Sequence, residues 1–425
     1  MRVLWVTAQV LPYVGEKLGA KNSGFGGWIT NMIEQLRKHP DLVIGIAMAS
    51  DKVSGNIEEV EIDHNVVCYV AHGLPEKSIS DPDRDEIIKR FQPDLIHVEG
   101  TEFGIHNRFS AVKAVPVLVS LQGILSGYEP YQYGLLPMAD NLFSNKDRMM
   151  LSSWVLVLRK RFRFSHRIAE ENETIKNAQY LMGRTFWDRA HSYWLNTEAK
   201  YYTCNRILRP AFYLNRWDIT KIERYSIFIG NGYSPLKGLH FAIQAAVLLK
   251  NEYPAIKIYC TGVCPIEKSK KNVKHYGYSN IISNLIYENH LETNVVFLGP
   301  QMVDRMIEIM LRSHVYLLPS LIENSPNTLG EAMILGMPCV SAYTGGASEM
   351  AVDEKEALFY RANDPKLLAW QIKRLFDSDE LALTLGHNAR EHALVTHDPD
   401  GNCGQLLSAY KDILGLTESE PDVNE

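Results

Sequence analysis

Two glutamates eight residues apart, Glu323 and Glu331, stand in the stretch Pro319-Ser320-Leu321-Ile322-Glu323-Asn324-Ser325-Pro326-Asn327-Thr328-Leu329-Gly330-Glu331-Ala332-Met333. An apolar strand expected at 315–318 leads into this polar loop, and a helix is predicted from about Thr328. Glu323 then lies in the loop and Glu331 in the first turn of the helix. The backbone N–H groups of such a loop and the positive end of a helix favour an anion such as a pyrophosphate. Glu331 is placed to accept hydrogen bonds from ribose hydroxyls, and Glu323 to touch a sugar. A plainer reading leaves Glu331 as a carboxylate that only complements the helix dipole.

A second polar cluster follows the predicted strand 94–98. His97 ends it, and Glu99 and Glu102 come just after, with His106 a weaker candidate. These residues suit an acceptor sugar or its activated hydroxyl. The alternative is a hydrogen-bonded loop histidine with solvated carboxylates. A third feature is the run Arg159-Lys160-Arg161-Phe162-Arg163-Phe164-Ser165-His166-Arg167, within a segment, 146–167, that carries 7 Lys+Arg against 1 Asp. With Trp154 and nearby leucines it could press against anionic lipid headgroups. It also reads as a solvated helix face or as a site for an acidic acceptor. Cys260 and Cys264 have no matching Cys/His pair nearby, so no zinc or other metal site is expected.

These residues need elements to hold them. In the first half, strands are expected at 2–9, 42–48, 65–71, 94–98 and 116–121, with helices at 27–38 and 82–91. In the second half, strands are expected at 225–229, 256–261, 295–298, 315–318, 338–341 and 357–360. Helices are expected at 238–251, 279–290, 302–312, 328–335, 365–377 and 379–394. Strands alternating with helices, and apolar runs that are continuous, argue for parallel sheets covered on both faces. The fold class is therefore α/β, with two doubly wound domains, 1–213 and 225–398, and a link where apolar periodicity lapses. A C-terminal helix within 399–415, expected at 405–414, is predicted to pack back toward the first domain, and 416–425 reads as a polar, disordered tail. Ligands of open α/β sheets bind beyond the carboxyl ends of the strands. That is where the polar clusters fall, and two such domains imply a cleft between them.

Composition bounds the rest. The chain has 425 residues, 46% hydrophobic and 22% charged, which excludes a disordered chain and a disulfide-built miniature. No apolar stretch is long enough for a membrane span, and the N-terminus reads as a first strand, not as a secretory signal. The net charge of -6 argues against a general nucleic-acid binder. It is uneven: residues 1–215 hold 25 Lys+Arg against 24 Asp+Glu, and the remainder 19 against 26. The 6 cysteines form no Cys-x-x-Cys pair and suit reduced, structural thiols in a cytoplasmic protein.

The Glu-x7-Glu block, the Ala-Met-x-x-Gly-x-Pro-Cys-Val that follows it and Thr344-Gly345-Gly346-Ala347-Ser348-Glu349 resemble the nucleotide-sugar domain of retaining glycosyltransferases of the GT-B fold, family 4 (group 1) type. The resemblance extends to Gly230-Asn231-Gly232-Tyr233-Ser234-Pro235-Leu236-Lys237-Gly238-Leu239, to Gly26-Gly27 and to Pro93-Asp94-Leu95-Ile96-His97. It implies two Rossmann-like domains facing across a cleft, donor on the second and acceptor on the first. It implies that Glu331 binds ribose, Glu323 lies near the transferred sugar, and Lys237 neutralises the donor pyrophosphate. Gly26 and Gly27 resemble a loop that backbone and substrate approach closely. Asn231, Asn324, Ser325, Pro326, Asn327 and Thr328 are the other expected donor contacts. Two departures stand out. The family's arginine before the lysine is missing from Asn231–Pro235, and its histidine after strand 116–121 is Gln122, which can hydrogen-bond a sugar hydroxyl but cannot shuttle a proton. Gly183-Arg184-Thr185-Phe186-Trp187-Asp188-Arg189 matches a stretch of some family members, with an expected ordering role.

The resemblance implies a hexosyltransferase-type enzyme (EC 2.4). It would move a sugar from a nucleotide sugar to a glycan or lipid-linked saccharide acceptor with retention, in surface polysaccharide synthesis, with no cofactor. The expected location is the cytoplasm, with peripheral contact at the inner face of the plasma membrane through 146–167. The alternatives are a nucleotide-sugar 2-epimerase of the same architecture, a nicotinamide dehydrogenase and a non-catalytic sugar-binding protein. The dehydrogenase needs a Gly-x-Gly-x-x-Gly turn that the glycines after the first strand do not supply.

Overall fold

The apolar runs become parallel strands buried on both faces. The computed structural model describes residues 1–19, 27–55, 57–73, 79–137, 151–264, 266 and 277–416. Gly26, positions 146–150 and the tail from 417 lie outside the described residues. The chain divides into two compact units: Met1–Leu125 with Ser165–Ile207 and His397–Glu425, and Ser126–Phe164 with Leu208–Thr396.

The first unit is built on eight strands: β1 (Arg2–Thr7), β2 (Val43–Ser50), β3 (Glu58–Asp63), β4 (Val66–His72), β5 (Leu95–Glu99), β6 (Val117–Ser120), β7 (Tyr180–Gly183) and β8 (Lys200–Thr203). Their order is β3-β4-β2-β1-β5-β6-β7-β8. Only the β3–β4 pair is antiparallel. Side chains alternate between two cores. Val3 and Trp5 join helices Gly27–Leu36 and Pro399–Ile413 on one face. Leu4 and Val6 join Ile87, Phe91, Ile105 and Phe109 on the other. Gly45 in β2 makes room for Phe91, whose ring would lie 2.7 Å from an added Cβ.

Several elements depart from the sequence reading, β7 and β8 among them, and two have a clear physical reason. Strand β3 was not expected, because four of its residues are acidic (Glu58, Glu59, Glu61 and Asp63) and only Val60 is buried. It is an edge strand whose charge deters further pairing. Helix Pro399–Ile413 starts well before the expected 405, because Asp398 caps it by accepting from Gly401 N–H and Pro399 takes the first helical position. Its Cys403, Leu406, Ala409, Tyr410 and Ile413 are buried in the first unit.

The second unit has one parallel sheet of β9 (Glu223–Ile229), β10 (Lys257–Thr261), β11 (Val295–Gly299), β12 (Ser313–Leu318), β13 (Cys339–Tyr343) and β14 (Leu358–Arg361), in the order β11-β10-β9-β12-β13-β14. This is the dinucleotide-binding order, with its topological switch between β9 and β12. The loops that follow those two strands carry Lys237 and Glu323, and the helix after the second of them, Asn327–Leu335, carries Glu331. Residues 126–164 group with this unit, although the boundary expected at 213 assigns them to the first domain. One cause is specific: Gly134 carbonyl accepts from His240 Nε2 at 3.1 Å.

Candidate active site

Three loops of the second unit brace one another before any side chain is considered. The loop after β9 ends at Gly238, whose φ is +72°, and a Cβ there would stand 1.9 Å from the Pro319 carbonyl oxygen. Only glycine allows that approach. Leu321 N–H donates to the Leu236 carbonyl at 2.8 Å, joining the loop after β12 to it. The Glu323 carbonyl accepts from Gly346 N–H at 3.0 Å. Gly345, at φ +47°, leaves space that a Cβ 2.0 Å from the same carbonyl would fill.

On this frame Lys237 Nζ meets Glu323 Oε1 at 2.5 Å, and Ser320 Oγ donates to the same oxygen at 2.7 Å. The Glu323 side chain is 11% exposed and that of Lys237 28%. Helix Asn327–Leu335 begins directly after the loop. Pro326 at its cap supplies no side-chain acceptor, and its first turn holds no acidic residue. Neither its cap nor its first turn compensates its positive end, which suits an anionic ligand. Glu331 lies one residue further in than the sequence reading placed it, since the helix begins at Asn327. Thr328 Oγ1 bonds the Tyr316 hydroxyl at 2.8 Å. Asn324 is buried, Ser325 Oγ faces Met350, and Asn231 Oδ1 accepts from Tyr233 N–H at 3.0 Å.

Glu331 is not simply a dipole partner. Arg209 grips it from two sides, Nε to Oε1 at 2.6 Å and Nη2 to Oε2 at 2.7 Å. Burial pushes the Glu331 carboxyl up from its ordinary pKa, and the Arg209 bonds oppose that rise. The Arg209 guanidinium lies 4.8 Å from the Phe212 ring centroid, which fixes its plane. Sequence reasoning missed Arg209. It stands far from Glu331 in the chain, and the only local signal is the following Pro210, which extends its backbone.

The remaining expected residues belong to the first unit. His97 is buried, with Nδ1 2.6 Å from the Tyr410 hydroxyl and Nε2 2.7 Å from Ser120 Oγ. Burial pushes its pKa down to about 3, so the ring is neutral at pH 7. Glu99 Oε2 is 3.6 Å from His97 Nε2, and Glu99 Oε1 is 3.6 Å from Arg206 Nη2. Gln122 Nε2 donates to the Glu99 carbonyl at 3.1 Å. His97 and Glu99 line a common pocket with Ser120, Arg184 and Arg206; Glu102 does not. Glu102 turns back to accept from Thr101 N–H at 2.9 Å, and burial raises its pKa. Its carboxylate and His106 both crowd Gly100, whose φ of +116° permits the fold-back. Gly27 opens helix Gly27–Leu36. Cys260 and Cys264 are buried free thiols, as are Cys68, Cys204, Cys339 and Cys403.

Residues 214–392 match the family model described as "Glycosyl transferases group 1". The chain is 30% identical to N-acetyl-alpha-D-glucosaminyl L-malate synthase of Bacillus anthracis over 198 residues, 47% of this chain and 48% of that one. It is 24% identical to the capsular polysaccharide biosynthesis glycosyltransferase CapM of Staphylococcus aureus over 184 residues, 43% of this chain and 45% of that one. The matches thus span about half the length of these relatives. Among solved structures, Anabaena Alr3699/HepE in complex with UDP superposes with a TM-score of 0.66 at 14% identity, over 97% of this chain and 100% of that one. The fold is accordingly that of GT-B glycosyltransferases, two Rossmann-like domains with parallel sheets.

Proposed function

We propose that the chain is a retaining glycosyltransferase of family 4 type that transfers a hexosyl group from a nucleotide sugar. The observation that carries the reading is the group formed by Lys237, Glu323 and Glu331 around the start of helix Asn327–Leu335, at the switch point of a sheet whose residues match a glycosyltransferase family. The donor pyrophosphate lies at that helix start. Lys237 and the N–H groups of the first turn take up the negative charge that develops on the leaving nucleoside diphosphate, without a resident metal or cofactor. Glu331, its carboxylate held flat by Arg209, accepts from the ribose hydroxyls. Glu323 accepts from the transferred sugar, and Ser320 keeps it oriented. Asn231, Asn324, Ser325, Pro326, Asn327 and Thr328 surround the donor. Gln122 hydrogen-bonds a sugar hydroxyl and moves no proton. His97 and Glu99 hold the acceptor; its hydroxyl oxygen bonds the sugar's anomeric carbon on the face from which the diphosphate leaves, the bond to the diphosphate breaks, and the hydroxyl proton passes to the departing diphosphate oxygen.

The names of the matched relatives support transfer over the epimerase reading, and that of CapM supports a glycan or lipid-linked saccharide acceptor in surface polysaccharide synthesis. Nucleic acid is not a partner in this reading. UDP binding in the Anabaena structure makes UDP sugars the first donors to try. Incubation with UDP-glucose and a saccharide acceptor should give a product whose anomeric proton, read by NMR, keeps the donor's configuration. Inversion would remove the retaining assignment. Failure of UDP, GDP and ADP sugars alike to bind would remove the donor site.

The reading includes a cytoplasmic enzyme that touches the inner face of the plasma membrane. Among the described residues no helix is long and apolar enough to cross a membrane. On helix Leu151–Asn177, Val155, Leu158 and Phe162 are exposed at 56%, 63% and 74%, and their spacing puts them on one stripe. Arg159, Arg161 and Arg163 are exposed beside them. An apolar stripe edged by arginines suits an anionic lipid surface.

A further inference from the structure

His97 stands between two hydroxyls, and one placement of its proton suits both sides of the ring. The side chain is buried within β5, with Nδ1 2.6 Å from the Tyr410 hydroxyl and Nε2 2.7 Å from Ser120 Oγ. Burial keeps the ring neutral, so it carries a single N–H. Two observations put that proton on Nε2. Tyr410 is 0% exposed, and among the described residues its hydroxyl meets no acceptor other than His97 Nδ1. A proton on Nδ1 would leave the tyrosine O–H buried without an acceptor, which is costly. On the other side, Nε2 faces Ser120 Oγ and, at 3.6 Å, Glu99 Oε2. An N–H is attracted by that carboxylate, whereas a bare lone pair is repelled by it. Tyr410 therefore donates to Nδ1, and Nε2–H donates to Ser120 Oγ.

This direction leaves the serine with an O–H to place. Among the described residues no other group is bonded to Ser120 Oγ. Ser120 ends β6 and lines the pocket it shares with His97, Glu99 and Gly183, beyond the carboxyl ends of the strands, where this sheet would hold a ligand. Glu99 Oε2 stands at the same ring nitrogen and can only accept. The pocket thus presents a donor and an acceptor side by side. A hydroxyl satisfies both, because it accepts from Ser120 and donates to Glu99. A carboxylate or phosphate meets like charge at Glu99, and an ammonium cannot accept from the serine. The same proton excludes a serine nucleophile, since Nε2–H cannot take up the serine proton as a general base would.

We infer that Ser120 is an acceptor-binding residue that donates to a neutral hydroxyl of a sugar or polyol, and that Tyr410 is a positioning residue that acts through His97 to turn the serine O–H toward it. That the ligand is the acceptor rests on the glycosyltransferase reading; the direction of the hydrogen-bond chain does not. His97 then reaches the acceptor through Ser120, and the last helix, which brings Tyr410, serves recognition as well as core packing.

The direction is tested on the full chain with isotope-labelled histidine, by long-range proton–nitrogen correlation NMR, with His97→Gln identifying the signal. The expected pattern at pH 7 is a protonated Nε2 and an unprotonated Nδ1, and a protonated Nδ1 overturns the chain. Tyr410→Phe keeps the packing and should shift the Nδ1 resonance; an unchanged spectrum removes the part given to Tyr410. Recognition is tested by saturation-transfer NMR with glucose, N-acetylglucosamine and inositol, with and without UDP. The wild type should bind at least one of the three. Ser120→Ala should bind it about tenfold more weakly, the size of one hydrogen bond, and Ser120→Thr should restore most of the loss. Tyr410→Phe should weaken it several-fold, and UDP affinity by calorimetry should be unchanged in all three variants. Equal affinity in the wild type and Ser120→Ala overturns the serine's role, as does failure of the wild type to bind any of the three. Should Tyr410→Phe fail to fold, the wild-type spectrum and the serine variants still decide. If the wild type binds a sugar but no nucleotide, the glycosyltransferase reading fails while the hydroxyl site stands.

Discussion

At the scale of single residues, the two ion pairs of the second unit have different consequences. The Lys237–Glu323 pair is partly open to solvent, so a pyrophosphate can compete for the ammonium. Lys237→Ala is expected to lower kcat by about 10²–10³-fold, the size seen when one donor to a developing anion is removed. Steady-state kinetics with saturating donor checks this, and a near wild-type rate would exclude the role. The Arg209–Glu331 pair is deeper, with Glu331 only 2% exposed. Glu331→Gln keeps the shape but loses the anion that orders two ribose hydroxyls, and UDP affinity should fall about tenfold, or about 1.4 kcal/mol. Arg209→Ala should weaken UDP binding by a similar factor. If Arg209 acts through Glu331, the double variant should be little worse than either single one. Additive losses in calorimetry would instead give Arg209 its own contact with the ligand.

At the scale of elements, loop clearance decides whether those residues meet at all. Gly238 and Gly299 share the same φ, +72°, but a Cβ at Gly299 meets nothing within 4 Å, whereas at Gly238 it strikes the Pro319 carbonyl. Both alanine variants carry the left-handed strain, about 1 kcal/mol or more. Only Gly238→Ala should also displace the loop after β12 and weaken UDP binding, by an expected tenfold or more. Denaturant melts and UDP titrations of the two variants, compared side by side, separate strain from clash. The same loops show what was legible in the sequence. Strands β9 and β12 end in apolar runs, Ile227–Ile229 and Val315–Leu318, so their ends, and with the second Glu323 and Glu331, could be placed from the sequence. Lys237 could be located only through its family resemblance. Arg209 could not be found, because pairing across so long a stretch of chain leaves no local pattern. Strand β3 escaped because an edge strand that buries one side chain has almost no apolar signal. The grouping of 126–164 with the second unit has no sequence signature, since contacts such as the Gly134–His240 carbonyl–imidazole bond leave no local pattern.

At the scale of the whole molecule, four buried histidines tie stability to pH. Burial pushes His97 and His106 down to about 3, and His240 and His314 down to about 4. Above pH 6.5 both the folded and the unfolded chain keep these rings neutral. As pH falls below 6.5, the unfolded chain takes up protons that the folded chain refuses, so stability is lost from there down toward pH 3–4. Each histidine contributes at most about 1.4 kcal/mol per pH unit over that window. Urea unfolding should therefore show lower stability at pH 5 than at pH 7, with a shallower dependence in His106→Gln; equal stability at the two pH values would contradict the burial of these rings. Binding to the membrane should respond to salt instead. Vesicles with anionic lipid should retain the protein at low ionic strength and release it at high. Replacing Arg159, Lys160, Arg161 and Arg163 with serine should abolish retention, and indifference of the wild type to anionic vesicles would leave the stripe without a lipid partner. The last helix, Pro399–Ile413, has a consequence in time. Its Tyr410 bonds His97 and its apolar residues complete the core of the first unit, yet the ribosome makes it only after all of the second unit. Synthesis at about 5–20 residues per second inserts roughly 190 residues between Ile207 and His397, a delay of about 10–40 s. The second unit can finish folding in that interval, while the first waits with one face of its sheet covered only in part, by helix Gly27–Leu36, and depends on whatever shields nascent chains.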